Sequence, residues 1–265
     1  MRGPAGVMAL VLAETAAGGA AFLFLTPLWR EVRPGFFYLT GATVLVLALG
    51  AAGSANAALD PAASGGAGGA IALSIALAGA TFVWLVVMRL HLRTVARVLG
   101  IATVPLAVAV LFAFAGTGDE STGLAFFQML AGAAFTGAVL DGLLLGHWYL
   151  TDRKLPRRPI DRMAWALIAS VGAEALAVIL GGFGAFGTGT ASSAGSSLSP
   201  ILTLAGVSSW IAIGMVGTTA LIAVFIKATL RGTRASAVQS ATGFFYLAVI
   251  TAFTAELAAK VRFLP

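Results

Sequence analysis

Eight apolar stretches, each long enough to cross a bilayer, take up most of this chain and leave little freedom in what it can become. They run approximately over 5–28, 35–58, 68–89, 96–117, 124–150, 162–184, 200–227 and 236–259. A helix needs about 20 apolar residues to cross the hydrocarbon core, so 265 residues leave no room for a soluble domain beside eight spans. A backbone exposed to lipid must satisfy its own hydrogen bonds, which rules out open strands. The alternating pattern of a barrel strand is also missing. The sequence therefore predicts an all-α, polytopic bundle of eight transmembrane helices, a single integral membrane domain over 1–265.

The charges orient it. Thirteen of the sixteen Lys and Arg residues fall in the four odd-numbered connections: Arg30 and Arg33; Arg89, Arg93 and Arg97; Arg153, Lys154, Arg157, Arg158 and Arg162; Lys227, Arg231 and Arg234. The termini and the even connections share only Arg2, Lys260 and Arg262. Cytoplasmic loops retain positive charge, so both termini are placed outside the cytoplasm. The N-terminal MRGPAGVMALVLAETAAGGA imitates a signal peptide, but its apolar run continues to Trp29 and ends at Arg30, as a first span does.

With 59% hydrophobic and 10% charged residues the composition is far from that of a soluble domain. The net charge of +6 sits where anionic lipid meets the cytoplasmic rim, so it indicates membrane lipid as a partner and not nucleic acid. The chain has no cysteine, which excludes disulfides, thiol chemistry and any Cys-ligated iron–sulfur cluster of its own.

Segments 50–70 and 181–199 are rich in Gly, Ala and Ser and read as flexible linkers. They are also short enough to fold over the outer mouth of the bundle. A trace of 4+4 internal duplication is present. Gly79-Ala-Thr81 stands before Leu92-Arg93 at the spacing with which Gly217-Thr-Thr219 stands before Leu230-Arg231, and four spans preserve direction. The sequence GFFYL opens both the second helix, at Gly35, and the eighth, at Gly243. Enrichment of aromatic residues at membrane interfaces explains that second match without a repeat.

Ionisable side chains at bilayer depth cost roughly 2.5–3.5 kcal/mol on insertion scales, so those present are functional candidates. Glu14, Asp141 and Glu174 have no cation nearby in sequence and form a candidate proton relay. Each must be protonated, hydrated or paired across the bundle. Glu256 has Lys260 at i+4 and reads as a structural ion pair at the outer helix end. His147, Trp148 and Tyr149 close the fifth helix and form a candidate quinone site, where an imidazole can bond a quinone carbonyl or pass a proton. The alternative is an interfacial aromatic anchor. His91 and His147 both reach the cytoplasmic boundary, so a bis-His haem is conceivable, but His91 lies in the charged interface and a haem is disfavoured. Gly142 and Gly146 make a small-xxx-small seam on the same helix as Asp141, which marks the fifth helix as the centre of the bundle. The basic run between Asp152 and Arg162 could dock an acidic partner, or serve only as a topology signal.

The two ends of the chain resemble a known family. Residues 14–25, ETAAGGAAFLFL, are similar to the first helix of the NrfD and dimethyl-sulfoxide-reductase anchor (DmsC) superfamily. Residues 245–263, FYLAVITAFTAELAAKVRF, resemble its closing Gly-Glu-Leu-x-x-Arg pattern, with Ala255 for the glycine and Lys260 for the arginine. The resemblance covers two of eight helices. The Leu-Gly-x-Pro segment of that family is missing, with only Asp60-Pro61 in a similar place. It implies a subunit of the bacterial cytoplasmic membrane that anchors partner redox subunits and exchanges electrons with quinone. The alternatives are a proton-coupled secondary transporter of a small solute, for which no Pro-broken helix pair is evident, and a structural subunit of a membrane complex.

Overall fold

A computed structural model describes residues 3–59, 66–118, 121–152, 155–182, 204–232 and 236–261. Segment 181–199 lies outside these residues almost entirely, as do Asp60-Pro61, Arg153, Lys154, Arg234 and Arg262. Eight helices follow one another: α1 (Gly3–Leu25), α2 (Pro34–Ala58), α3 (Ala67–Arg89), α4 (Arg93–Ala115), α5 (Thr122–Thr151), α6 (Arg158–Gly182), α7 (Leu204–Leu230) and α8 (Ser236–Lys260). All eight are long and apolar enough to span a membrane. The protein is an all-α, multi-pass bundle.

Helix ends depart from the apolar runs where proline intervenes. α1 stops at Leu25, before the expected 28, because Pro27 opens a separate 3-10 turn over Pro27–Arg30. α6 starts at Arg158, four residues before the expected 162, because Pro159 fits a first turn that needs no N–H donor. Pro34 opens α2 in the same way, whereas Pro105 lies inside α4.

The helices pack as two closed rings. α1 packs on α2, α2 on α3, α3 on α4, and α4 back on α1; α5 to α8 repeat this circuit. The rings join chiefly along α1 and α5, flanked by α4 on α5 and α8 on α1. This is the arrangement a parallel four-helix duplication gives. The matched segments take the same place in each ring: Thr81 in the third helix and Thr219 in the seventh are fully buried and bond the carbonyls of Leu77 and Met215. GFFYL has no such equivalence, since Gly35 meets the Trp148 ring while Gly243 faces open space.

The central seam is backbone on backbone. A Cβ on Gly18 would stand 1.8 Å from the Ala133 carbonyl oxygen, and one on Gly137 would stand 2.4 Å from the Gly18 carbonyl carbon. Lipid supplies no hydrophobic drive between helices, so close van der Waals approach of this kind is what holds them. At the basic rim the rings are also linked by Arg33–Asp152 and Arg162–Glu31, each 3.0 Å.

Candidate functional site

α5 is the hub, touching α1, α2, α4, α6 and α8. Its Gly142 and Gly146 seat Phe245 and Thr242 of α8, so the seam expected there is filled by the last helix. This pairing sets the register of α8, which runs antiparallel to α5. Continued outward, it places Glu256 level with Gly132 and Lys260 level with Gln128, about 9 Å inside the outer end of α5.

Lys260 is therefore not an interfacial residue. It is 2% exposed, and its ammonium stands 2.7 Å from Glu14 Oε1 of α1 and 3.5 Å from Glu256 Oε2. The i,i+4 pair expected from the sequence exists, but the closer partner comes from another helix. Glu174 of α6 completes the group, within hydrogen-bonding reach of Glu256 and under the charges of Lys260 and Glu14. Gly132 makes room for it: a Cβ there would lie 2.8 Å from the Glu14 carboxyl carbon. Four helices thus enclose three carboxyl groups and one ammonium in the outer half of the bundle.

The ammonium is close to the Glu14 and Glu256 carboxylates without being aligned for a hydrogen bond to either, and Glu174 Oε2 also has no partner. Fully ionised, the group would carry a net charge of −2, which a low-dielectric interior does not tolerate. Two protons shared among the three carboxyl groups would neutralise it. Among the described residues no set of His, Cys, Asp or Glu converges as metal ligands would. Carboxyl groups so placed can hold and exchange protons.

The three acids of the expected relay do not form one cluster. Glu14 and Glu174 come together. Asp141 sits nine residues further along α5 than Gly132, about 14 Å nearer the basic end of the bundle. It is fully buried near Gly19 of α1 and Val44 of α2, and both its oxygens are without hydrogen-bond partners.

His147, Trp148 and Tyr149 point three ways. His147 is exposed, with Nδ1 3.3 Å from the Tyr246 hydroxyl of α8. Trp148 covers Gly35 of α2, and the Tyr149 hydroxyl donates to the Pro156 carbonyl. Only His147 of these three remains open to a ligand from the lipid. His91 is exposed in the α3–α4 connection at φ 60°, and α3 has no substantial packing on α5. Nothing in the fold draws the two imidazoles together.

Sequence reasoning missed Lys260 and Gly132 as parts of the acid group, and Tyr246 beside His147. The Glu256/Lys260 spacing was a signal for the first. The other two depend on helix register, which no local pattern encodes.

Compared with protein-family models, with curated proteins and with solved structures, the chain finds no match in any of the three.

Proposed function

We propose that the protein is a proton-handling membrane subunit of an electron-transfer complex that works with quinone in a bacterial cytoplasmic membrane. The observation that carries this reading is the buried group of Glu14, Glu174 and Glu256 around Lys260. Interconversion of quinone and quinol moves two electrons and two protons. The electrons pass to or from a redox group on a partner subunit, since this chain has no cysteine to hold an iron–sulfur cluster. The protons are the part this chain handles. The exposed His147–Tyr246 pair offers a quinone oxygen a hydrogen-bond partner at the cytoplasmic end of α5. Asp141 then lies between that end and the acid group, and bound water would bridge the remaining distances. The resemblance to the NrfD and DmsC superfamily adds support from an independent side. Its two segments, in α1 and α8, supply Glu14, Glu256 and Lys260, three of the four members of the group.

Proton-coupled transport is the second reading, favoured by the two rings meeting along a thin glycine seam, as bundles that rock around a central site do.

Mild-detergent purification from native membranes, with mass spectrometry of proteins and small molecules and a reduced-minus-oxidised spectrum, separates the two. Co-purified redox subunits and quinone, with quinone turnover lost in Glu174→Gln, are expected. A solitary, colourless, quinone-free protein would refute the redox reading and leave transport.

A further inference from the structure

Two neighbouring cavities open outward along α1 and α4, the first of them reaching α5 as well. The first, about 360 Å³, lies along Ala17, Ala21, Leu25, Val104, Ala107 and Leu130. The second, about 320 Å³, lies nearer the cytoplasm among Leu25, Thr26, Trp29, Arg30, Arg97 and Ile101. Leu25 and Thr26 line both. Small side chains leave the groove unfilled, and Pro105 has no N–H for the Ile101 carbonyl at its edge. Leu25, Ile101, Val108 and Leu130 are exposed, so the groove faces the surrounding lipid.

Its length and its charge identify an occupant. From Ala17 to Thr26 is nine residues, about 14 Å of helix, close to half of the roughly 30 Å hydrocarbon core. By the charge asymmetry of the loops, this half belongs to the cytoplasmic leaflet. At its mouth Arg30 and Arg97 are exposed and have no carboxylate partner among the described residues. Arg33, Arg162 and Lys227 on the same rim are each paired. Arg89, Arg93, Arg158 and Arg231, like Arg30 and Arg97, have no carboxylate partner among the described residues. It is the cavity between Arg30 and Arg97 that sets these two apart. The Trp29 indole N–H beside the two arginines is buried without an acceptor. An apolar channel one leaflet long, ending in two unpaired guanidinium groups and a free indole donor, has the form of an anionic lipid.

We propose that this groove binds one anionic phospholipid of the cytoplasmic leaflet, an acyl chain along α1, α4 and α5 and the phosphate between Arg30 and Arg97. The lipid would bridge the two rings, since α1 and α4 belong to one and α5 to the other. A quinone fits the apolar part equally well but has no charge for the arginines to meet.

The test is native mass spectrometry of the full chain in mild detergent, incubated separately with phosphatidylglycerol, phosphatidylcholine, inorganic phosphate or decylubiquinone. One retained phosphatidylglycerol is expected, with retention falling about fivefold for each arginine lost in Arg30→Gln and Arg97→Gln. Ala21→Phe, which fills the groove and keeps both arginines, should also lose the lipid. Arg231→Gln, on the rim of the other ring, should keep it. Equal retention of phosphatidylcholine, or retention of phosphatidylglycerol by both the arginine and groove variants, overturns the proposal. So does equal retention of inorganic phosphate or decylubiquinone, or an equal loss of phosphatidylglycerol in Arg231→Gln.

Discussion

In the α1–α4 ring the inner half is closed by aromatic side chains: Trp84 meets Phe24 at 4.9 Å and Trp29 at 5.9 Å between ring centroids, and Trp29 rests on Phe37 at 4.5 Å. In the α5–α8 ring the outer half holds Glu174, Glu256 and Lys260, and the Thr219 and Thr251 hydroxyls meet at 2.7 Å between α7 and α8. One topology therefore carries two interiors. The first is filled chiefly with apolar area, and its one buried carboxyl group among the described residues, Glu14, belongs to the group at the seam. The second retains buried charge that hydrophobic residues would replace without loss of stability, and often with a gain. Three of the four members of the buried ionisable group lie in the second ring. Glu14 crosses the seam from the first ring to join it, so neither ring completes the site alone.

This contrast breaks most readily at two fully enclosed residues. Lys260→Met removes the one cation that the described residues bring to the acid group and should cost about 3–5 kcal/mol, the penalty for stranding a buried charge. Glu14→Gln added to Lys260→Met should recover much of it. Trp84→Ala should cost a similar 3–5 kcal/mol through the cavity it leaves, with no rescue by any acid substitution. Unfolding of the purified chain reads both. A Lys260→Met chain as stable as wild type would remove the claim that the second ring is charged.

Gly132→Ala sharpens the same comparison at smaller cost. The added methyl presses on the Glu14 carboxyl group, which must move, at about 1–3 kcal/mol. Proton uptake should change as it does in Glu14→Gln, which a purely structural role for Gly132 does not predict. Gly172→Ala in α6, where a Cβ meets nothing, should instead gain up to about 1 kcal/mol from helix propensity. Like behaviour of the two variants would remove Gly132 from the site.

How far the sequence could be read follows from the same residues. The eight spans were legible because lipid demands long apolar helices. Glu14 and Glu174 were legible as site residues because a carboxyl group at bilayer depth is costly anywhere. What joins them was not. The pairing of Lys260 with Glu14 depends on α8 seating Phe245 against Gly142, and that is a tertiary choice with no local pattern. Asp141 shows the converse. Its depth was readable, but its separation from the other acids follows from Glu14 seating at Gly132, nine residues before Asp141 on α5, which is a tertiary choice. Helix ends were missed by a few residues where Pro27 and Pro159 override the apolar run.

The smallest effect expected is at the cytoplasmic rim, and it decides what holds the two rings together. Arg33 is 71% exposed, so its pair with Asp152 should contribute at most about 1 kcal/mol. A double-mutant cycle with Arg33→Ala and Asp152→Ala isolates that coupling even though Asp152 has other interactions. The coupling should shrink as salt rises, because exposed charges are screened over about 8 Å at physiological ionic strength. Such a result leaves the Gly18–Gly137 seam as the principal join, and the rings free to share one buried site across it. A coupling well above 2 kcal/mol would place the join at the rim instead. The seam would then be a sliding surface, as alternating access requires, and the transport reading would gain over the redox one.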